Sequence, residues 1–220
     1  MKALLRRLVH LWFSWVRFYA NEKITRERVG KHATLFQGIV LDVGAGNKPY
    51  RALFNKVDKY LGANSSEYYR TTMPEDVRAN TDVWLDDSLP LPFDNCAFDG
   101  LVCLSVLPQI DKPDEFFREL ARLLKPGGHL LLTTEFLYPK WAANDCLRHT
   151  DVGLRSLAQA NGFDVVTVES IGGVWTTIHC LLMRNVSDYP GRILNTPSLF
   201  WKAWSCVLYL WWIVTMPVSS

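Results

Sequence analysis

The residues with the clearest chemical potential begin at Gly44. Ile39–Val43 is a short apolar, β-branched run, and Gly44-Ala45-Gly46-Asn47-Lys48-Pro49 follows it at once. A strand that turns through glycines can present backbone N–H groups to a ligand, and Gly44 and Gly46 permit its close approach. A Gly-x-Gly alone is also what a tight turn uses for steric reasons. A dinucleotide fingerprint asks for a third glycine at position 49. Pro49 stands there, which disfavours a nicotinamide-linked oxidoreductase. Asn64 lies 20 residues after Gly44. That is the distance at which a nucleotide site places the group for ribose hydroxyls. Asn64 can donate and accept there, although it is not the usual carboxylate.

The cysteines carry no comparable signal. Cys96, Cys103, Cys146, Cys180 and Cys206 are an odd, scattered set without a C-x-x-C. Neither a zinc site nor a disulfide framework is suggested, and no metal is expected. A reducing, cytoplasmic setting fits them best.

Glycines of this kind need a strand before them and a helix or turn after them. Further strands are predicted at Lys59–Ala63, Asp82–Leu85, Phe98–Ser105, His129–Thr134 and Phe163–Val168. Helices are predicted from about Tyr50, at Pro113–Lys125 before the stop Pro126-Gly127-Gly128, and at Leu154–Ala160 before Asn161-Gly162. Strands alternating with helices predict an α/β, mostly parallel sheet with ligands beyond the strands' C-terminal ends. Residues 172–200 give no seventh strand by pattern and read as helical, so the sheet is expected to have six or seven strands.

Charge divides the 220-residue chain into three. Residues 1–31 carry a net charge of +6, residues 32–188 a net of −6, and residues 189–220 a net of +2. Six of the nine tryptophans lie in the first or last twenty residues. The overall net charge of only +2 argues against a nucleic-acid binder. Leu4, Leu5, Leu8, Leu11, Trp12, Trp15, Val16 and Tyr19 fall at helical spacing, with Arg7, His10, Ser14 and Arg17 opposite. That is the pattern of a helix lying in a membrane interface, or of one packed on its own domain. Ala203–Val218 is apolar and uncharged but just short of the roughly 17–25 residues that span a bilayer. Three parts are expected: a basic amphipathic helix over 1–31, a central domain over 32–171, and a Trp-rich, membrane-associating segment over 172–220.

Three stretches then carry a resemblance. They are Val40-Leu41-Asp42-Val43-Gly44-Ala45-Gly46, Leu91-Pro92-Phe93-Asp94-Asn95-Cys96-Ala97-Phe98-Asp99, and Leu123-Leu124-Lys125-Pro126-Gly127-Gly128-His129-Leu130. In this order and spacing the chain resembles a class I S-adenosylmethionine-dependent methyltransferase of the type 11 group, over about residues 35–170. The resemblance implies a Rossmann-like, doubly wound sheet and S-adenosyl-L-methionine as cofactor. It implies that Asp42, Gly44, Ala45 and Gly46 hold the cofactor's amino-acid part and Asn64 the ribose. Asp86 or Asp87 would hold the adenine amino group with Ser88 beside the ring, and Leu104 and Ser105 would lie under the methyl. A histidine often follows the fourth strand in that family; Pro108-Gln109 stands there instead.

Asp145-Cys146-Leu147-Arg148-His149-Thr150 resembles a D-x-x-R-[FYH]-T segment of methyltransferase-like proteins associated with bacterial surface-polysaccharide and lipid metabolism. It implies a loop over the methyl acceptor. Alternatively, Arg148 and His149 are a solvated helix start capped by Thr150 or Asp151. His149 is the first candidate for removing a proton from an oxygen acceptor, with Glu135 and Asp145 next. The expectation is methyl transfer to a small-molecule, lipid-linked or glycan acceptor at a membrane surface by a peripherally attached enzyme. The competing expectation is a non-catalytic cofactor-binding scaffold of a membrane complex, which Asn64 and Gln109 favour.

Overall fold

The computed structural model describes residues 22–66, 75–86, 88–138, 140, 144–174, 176–178 and 181. The expected helix of residues 3–19, the apolar tail of residues 203–218 and Asp87 lie outside the described residues. The chain divides into two compact units, one of Glu22–Gly173 and one of Met1–Asn21 with Val174–Ser220. No helix among the described residues is long and apolar enough to cross a membrane.

In the Glu22–Gly173 unit a helix, α1, spans residues 22–33. The strands are β1 (Gly38–Val43), β2 (Val57–Ser65), β3 (Val83–Leu85), β4 (Phe98–Leu104) and β5 (Leu124–Thr133). The remaining helices are α2 (Glu75–Ala79), α3 (Pro113–Leu123) and α4 (Asp151–Ala160), with short 3-10 turns at Arg51–Leu53 and Leu107–Gln109. The strand order is β3-β2-β1-β4-β5 and every pairing is parallel.

Both faces of the sheet are covered, so the central strands are apolar at successive positions rather than alternating. Leu41, Val43, Leu101 and Cys103 face a core completed by Phe117, Leu120 and Leu123 of α3. Val40 and Val102 face the other way, onto Val29 and Ala33 of α1 with Phe36, Phe54 and Tyr60. Phe116, Phe117, Leu120 and Leu123 fall at helical spacing and are the buried apolar stripe of α3. Thr150 caps α4, its hydroxyl accepting from the Gly153 N–H at 3.0 Å.

Two expectations are corrected. Among the described residues the sheet has five strands, not six or seven. Phe163–Val168 forms no strand among the described residues. Its alternation is real: Phe163 packs edge-on against Phe117, while Val166 is 87% exposed. Alternation specifies an extended chain with one buried side; a strand also needs a partner edge for its ladder, which the pattern does not report. The helix expected from Tyr50 is only the 3-10 turn Arg51–Leu53. α1 supplies the missing cover from the other side of β1. Phe36 meets Phe54 edge-to-face at 5.3 Å, and Arg26 donates to the Pro49 carbonyl at 3.0 Å.

Candidate active site

The strand order reverses between β1 and β4, whose neighbours run outward on opposite sides. The crevice beyond that switch point is where open parallel sheets bind ligands. The Gly44–Gly46 loop leaves β1 there, and Ser105 leaves β4 beside it.

The loop is held from β2. The N–H groups of Gly44 and Ala45 both donate to the Ala63 carbonyl, at 2.8 and 3.2 Å. Asn64 braces the next residue: its Oδ1 accepts from the Gly46 N–H at 2.8 Å and its Nδ2 donates to the Gly46 carbonyl at 3.1 Å. The same amide also donates to Thr81 Oγ1 at 2.8 Å. Asn64 is fully buried, so its amide serves the loop from within. Gly44 and Gly46 both have positive φ, 76° and 53°. They need glycine for different reasons. A Cβ on Gly44 would come within 2.3 Å of Val106 Cγ2, whereas one on Gly46 would meet nothing within 4 Å. Gly44 is required by the protein's own packing, and Gly46 opens onto free space.

Asp42 ends β1 on the α1 side and is buried. Tyr60 Oη donates to its Oδ2 at 2.6 Å. Burial pushes the Asp42 carboxyl up to about 7, against the opposing pull of the Tyr60 hydrogen bond and the Lys48 charge. Lys48 takes φ 53° and carries its Nζ to Asp82 Oδ2 at 2.8 Å. Asp82 accepts the Gly62 N–H on the same oxygen at 2.7 Å, which ties the loop to the start of β3. Beyond β3, Asp86 accepts weakly from Ser66 Oγ at 3.5 Å, and Ser88 is exposed.

At the end of β4, Leu104 is half-buried and Ser105 takes φ 59°. That left-handed conformation costs a non-glycine residue about 1–2 kcal/mol. The Ser105 N–H donates to the Thr133 carbonyl at 3.0 Å, and Thr133 Oγ1 stands 3.2 Å away. Backbone strain of this kind gathers at functional edges.

The Asp145–Thr150 segment comes to the same edge. The Cys146 and Leu147 N–H groups donate to the Pro108 carbonyl, at 2.9 and 3.2 Å, in the turn after β4. Gln109 accepts there from Asn144 at 3.4 Å. Arg148 grips both oxygens of Asp145, the Oδ2 at 2.7 Å, and donates to the Tyr138 carbonyl at 3.2 Å. Asp145 is thus buried beneath its own cation. His149 Nδ1 is buried with no hydrogen-bond partner, and so are Glu135 Oε2 and Thr134 Oγ1 just past β5. Burial holds the His149 pKa below its usual value.

A model of the methyltransferase domain matches residues 41–132, from the middle of β1 to the end of β5. This stretch resembles that methyltransferase domain. The methyltransferase GfsG of Streptomyces halstedii is 29% identical over 120 residues, 51% of this chain and 43% of its own. The match therefore spans less than half of that relative's length. Among solved structures, a chain from the complex of the Haloferax volcanii Trm112 methyltransferase activator with a methyltransferase superposes with a TM-score of 0.54. It is 22% identical and is matched over 74% of this chain and 80% of its own. A SAM-dependent methyltransferase of Thermotoga maritima gives 0.53 at 20% identity, over 75% and 82%. The [4+2]-cyclase SpnF gives 0.52 at 21% identity, over 74% and 67%. These likenesses concern the fold.

At the open side of Gly46 the loop leaves room for a ligand to approach its backbone. Gly44, Ala45, Gly46, Leu104 and Ser105 meet at the switch point, and Asp86 and Ser88 follow β3. Asn64 and Asp42 face the protein rather than the opening. Tyr60, the Lys48–Asp82 pair, Val106 and Thr134 join the site without a motif in the sequence to mark them. Lys48, a long side chain inside a glycine turn, is the one detectable signal among them.

Proposed function

We propose that the protein transfers a methyl group from S-adenosyl-L-methionine to an acceptor bound between the ends of β4 and β5 and the Asp145–Thr150 segment. The supporting observation is the Gly44–Gly46 loop, inside a stretch that matches the methyltransferase domain, opening onto free space at the switch point. The cofactor supplies an electrophilic methyl on sulfur. This chain's residues supply position. Gly46 lets the loop approach, Asn64 and Lys48 fix the loop's shape from behind, and Asp86 and Ser88 flank the adenine end. Leu104 and Ser105 form the floor at the reacting end. Displacement at carbon asks for alignment and exclusion of water more than for covalent help.

An oxygen acceptor must also lose a proton. His149 is suited to remove it, because its depressed pKa keeps the ring neutral at pH 7 and its Nδ1 is uncommitted. Glu135 is the second candidate. Asp145 is the weakest of the three, because Arg148 already engages both its oxygens.

The acceptor is lipid-linked, a glycan or another small molecule at a membrane surface. The basic, Trp-rich ends of the sequence support this, and so do Phe136 and Leu137, which are 63% and 60% exposed beside Glu135. Several basic residues near anionic headgroups contribute roughly 1 kcal/mol each. A cofactor-binding scaffold without catalysis is the second reading. It draws on the engaged Asn64 amide and on a shared fold with a protein named as a cyclase. Incubating the full chain with methyl-labelled S-adenosylmethionine and either membranes or soluble extract separates the readings. Label entering the membrane fraction is expected; no transfer into either fraction would leave the scaffold.

A further inference from the structure

Buried polar atoms are almost always hydrogen-bonded, and each exception asks for an explanation. Among the described residues there are three such side-chain exceptions: Thr134 Oγ1, Glu135 Oε2 and His149 Nδ1. All three lie past the C-terminal end of β5 or just before α4, in two segments that Arg148 joins through the Tyr138 carbonyl. Three stray defects would not be expected to gather on one edge of a sheet. Thr134 and Glu135 adjoin Thr133, which holds strained Ser105, so they stand one strand over from the switch point.

The chemistry of the three atoms narrows what they await. A carboxylate oxygen accepts only. A neutral imidazole nitrogen accepts or donates according to tautomer, and a hydroxyl does both. A ligand bearing hydroxyl groups answers all three, since each hydroxyl gives one hydrogen bond and takes others. An ammonium ligand would satisfy Glu135 but would meet the Arg148 guanidinium, which is close enough to feel the Glu135 charge. Arg148 already balances Asp145. A neutral donor avoids that repulsion.

We infer that Thr134, Glu135 and His149 form the acceptor subsite and select a neutral, hydroxyl-bearing molecule such as a sugar ring. The Asp145–Arg148 pair is a positioning element that holds His149 against the post-β5 segment. This deepens the methyl-transfer reading by naming the acceptor class, and it rests on that reading. Thr134 is a specificity-determining residue, with no need to move a proton.

The test uses the full chain saturated with S-adenosylhomocysteine. Methyl α-D-glucopyranoside and its galacto and manno epimers are titrated against the parent, Glu135→Gln and Thr134→Val, with ethylammonium as the competing probe. Binding is read by calorimetry and by the 15N resonances of the His149 ring. At least one glycoside should bind the parent and shift the Nδ1 resonance. A hydrogen bond to a charged group is worth about 1.5–3 kcal/mol, so Glu135→Gln should weaken binding roughly tenfold or more. Thr134→Val should weaken it several-fold. S-adenosylhomocysteine affinity should stay within about twofold in both variants, which shows them folded and keeps the cofactor reading separate. Preferred binding of ethylammonium, equal glycoside affinity in Glu135→Gln, or no glycoside binding by a parent that still binds S-adenosylhomocysteine would each overturn the inference.

Discussion

Asp42 is the residue where burial and chemistry pull hardest against each other. Its carboxyl is raised to about 7 because burial between β1, β2 and the α1 side penalises the charged form more than the Tyr60 hydrogen bond favours it. A raised pKa means the folded state binds the proton more tightly than the unfolded chain. The native state is therefore favoured at acid pH, and that contribution is lost as pH rises from the unfolded value, about 3.9, through about 7. Asn at position 42 mimics the neutral acid and can still accept from Tyr60. Asp42→Asn should leave the melting temperature almost unchanged at pH 3.5 and raise it by about 3 °C or more at pH 8. Melting followed by circular dichroism at the two pH values checks this; equal shifts at both would remove the buried-acid account. Residue types here were legible where they sat in a motif and illegible where the answer lay in orientation. The sequence spacing brings Asn64 to the glycine loop, and the structure finds its amide turned inward onto Gly46 and Thr81. The sequence offers Asp145 as a carboxylate, and Arg148 three residues later takes both its oxygens. No spacing rule reports which of two nearby polar groups a side chain will choose.

At the scale of elements, the Leu91–Asn95 segment is fixed by a clasp on α3. Glu119, buried on the helix, accepts the Leu91 N–H at 2.7 Å. Arg122, one turn on, donates to both Glu119 oxygens, to the Leu91 and Phe93 carbonyls and to Asn95 Oδ1. The clasp closes the route from β3 into β4, so it sets where β4 begins. Arg122 and the Leu91 N–H hold the Glu119 carboxyl below its usual range. A depressed pKa gives stability that is present above the unfolded value and lost as pH falls through the folded one. Glu119→Gln should cost about 1–3 kcal/mol at pH 7, by leaving a partly buried guanidinium without its charge partner. The cost should shrink as pH falls below the unfolded carboxyl value of about 4.3, where the unfolded chain takes up the proton before the native Glu119 does. Urea titrations at pH 7 and pH 3.5 measure both values, and a cost that does not change with pH would refute the ionic account. The segment's motif was recognisable, but its anchor was not, because Glu119 and Arg122 read as ordinary polar positions of an amphipathic helix. The same limit applies to Phe163–Val168, where alternation was visible and the absence of a pairing edge was not. Strands β1 to β4 were legible as runs bounded by turn residues, whereas β5 starts at Leu124 and runs through Pro126-Gly127-Gly128, which the sequence offered as a helix stop.

For the whole molecule, the order β3-β2-β1-β4-β5 makes one crevice the natural place for chemistry. The glycine loop, strained Ser105 and three unpartnered polar atoms all lie on that side of the sheet. At the opposite edge a cavity of about 370 Å³ is lined by Asp99 and Lys125, which pair with each other at 2.8 Å. The division between an acidic middle and basic, Trp-rich ends was plain from charge alone, and the crevice residues named above all belong to the unit Glu22–Gly173. The central claim is that this crevice holds S-adenosylmethionine against the open side of Gly46. Titration of S-adenosylhomocysteine into the full chain and into Gly46→Ala tests it most directly. The added methyl would project into the space the ligand needs, and the left-handed φ adds about 1–2 kcal/mol of strain to the loop. We predict micromolar binding to the parent, and binding at least roughly tenfold weaker in the variant with its melting temperature lowered only slightly. Absence of binding to the folded parent, or equal affinity in parent and variant, would contradict the account.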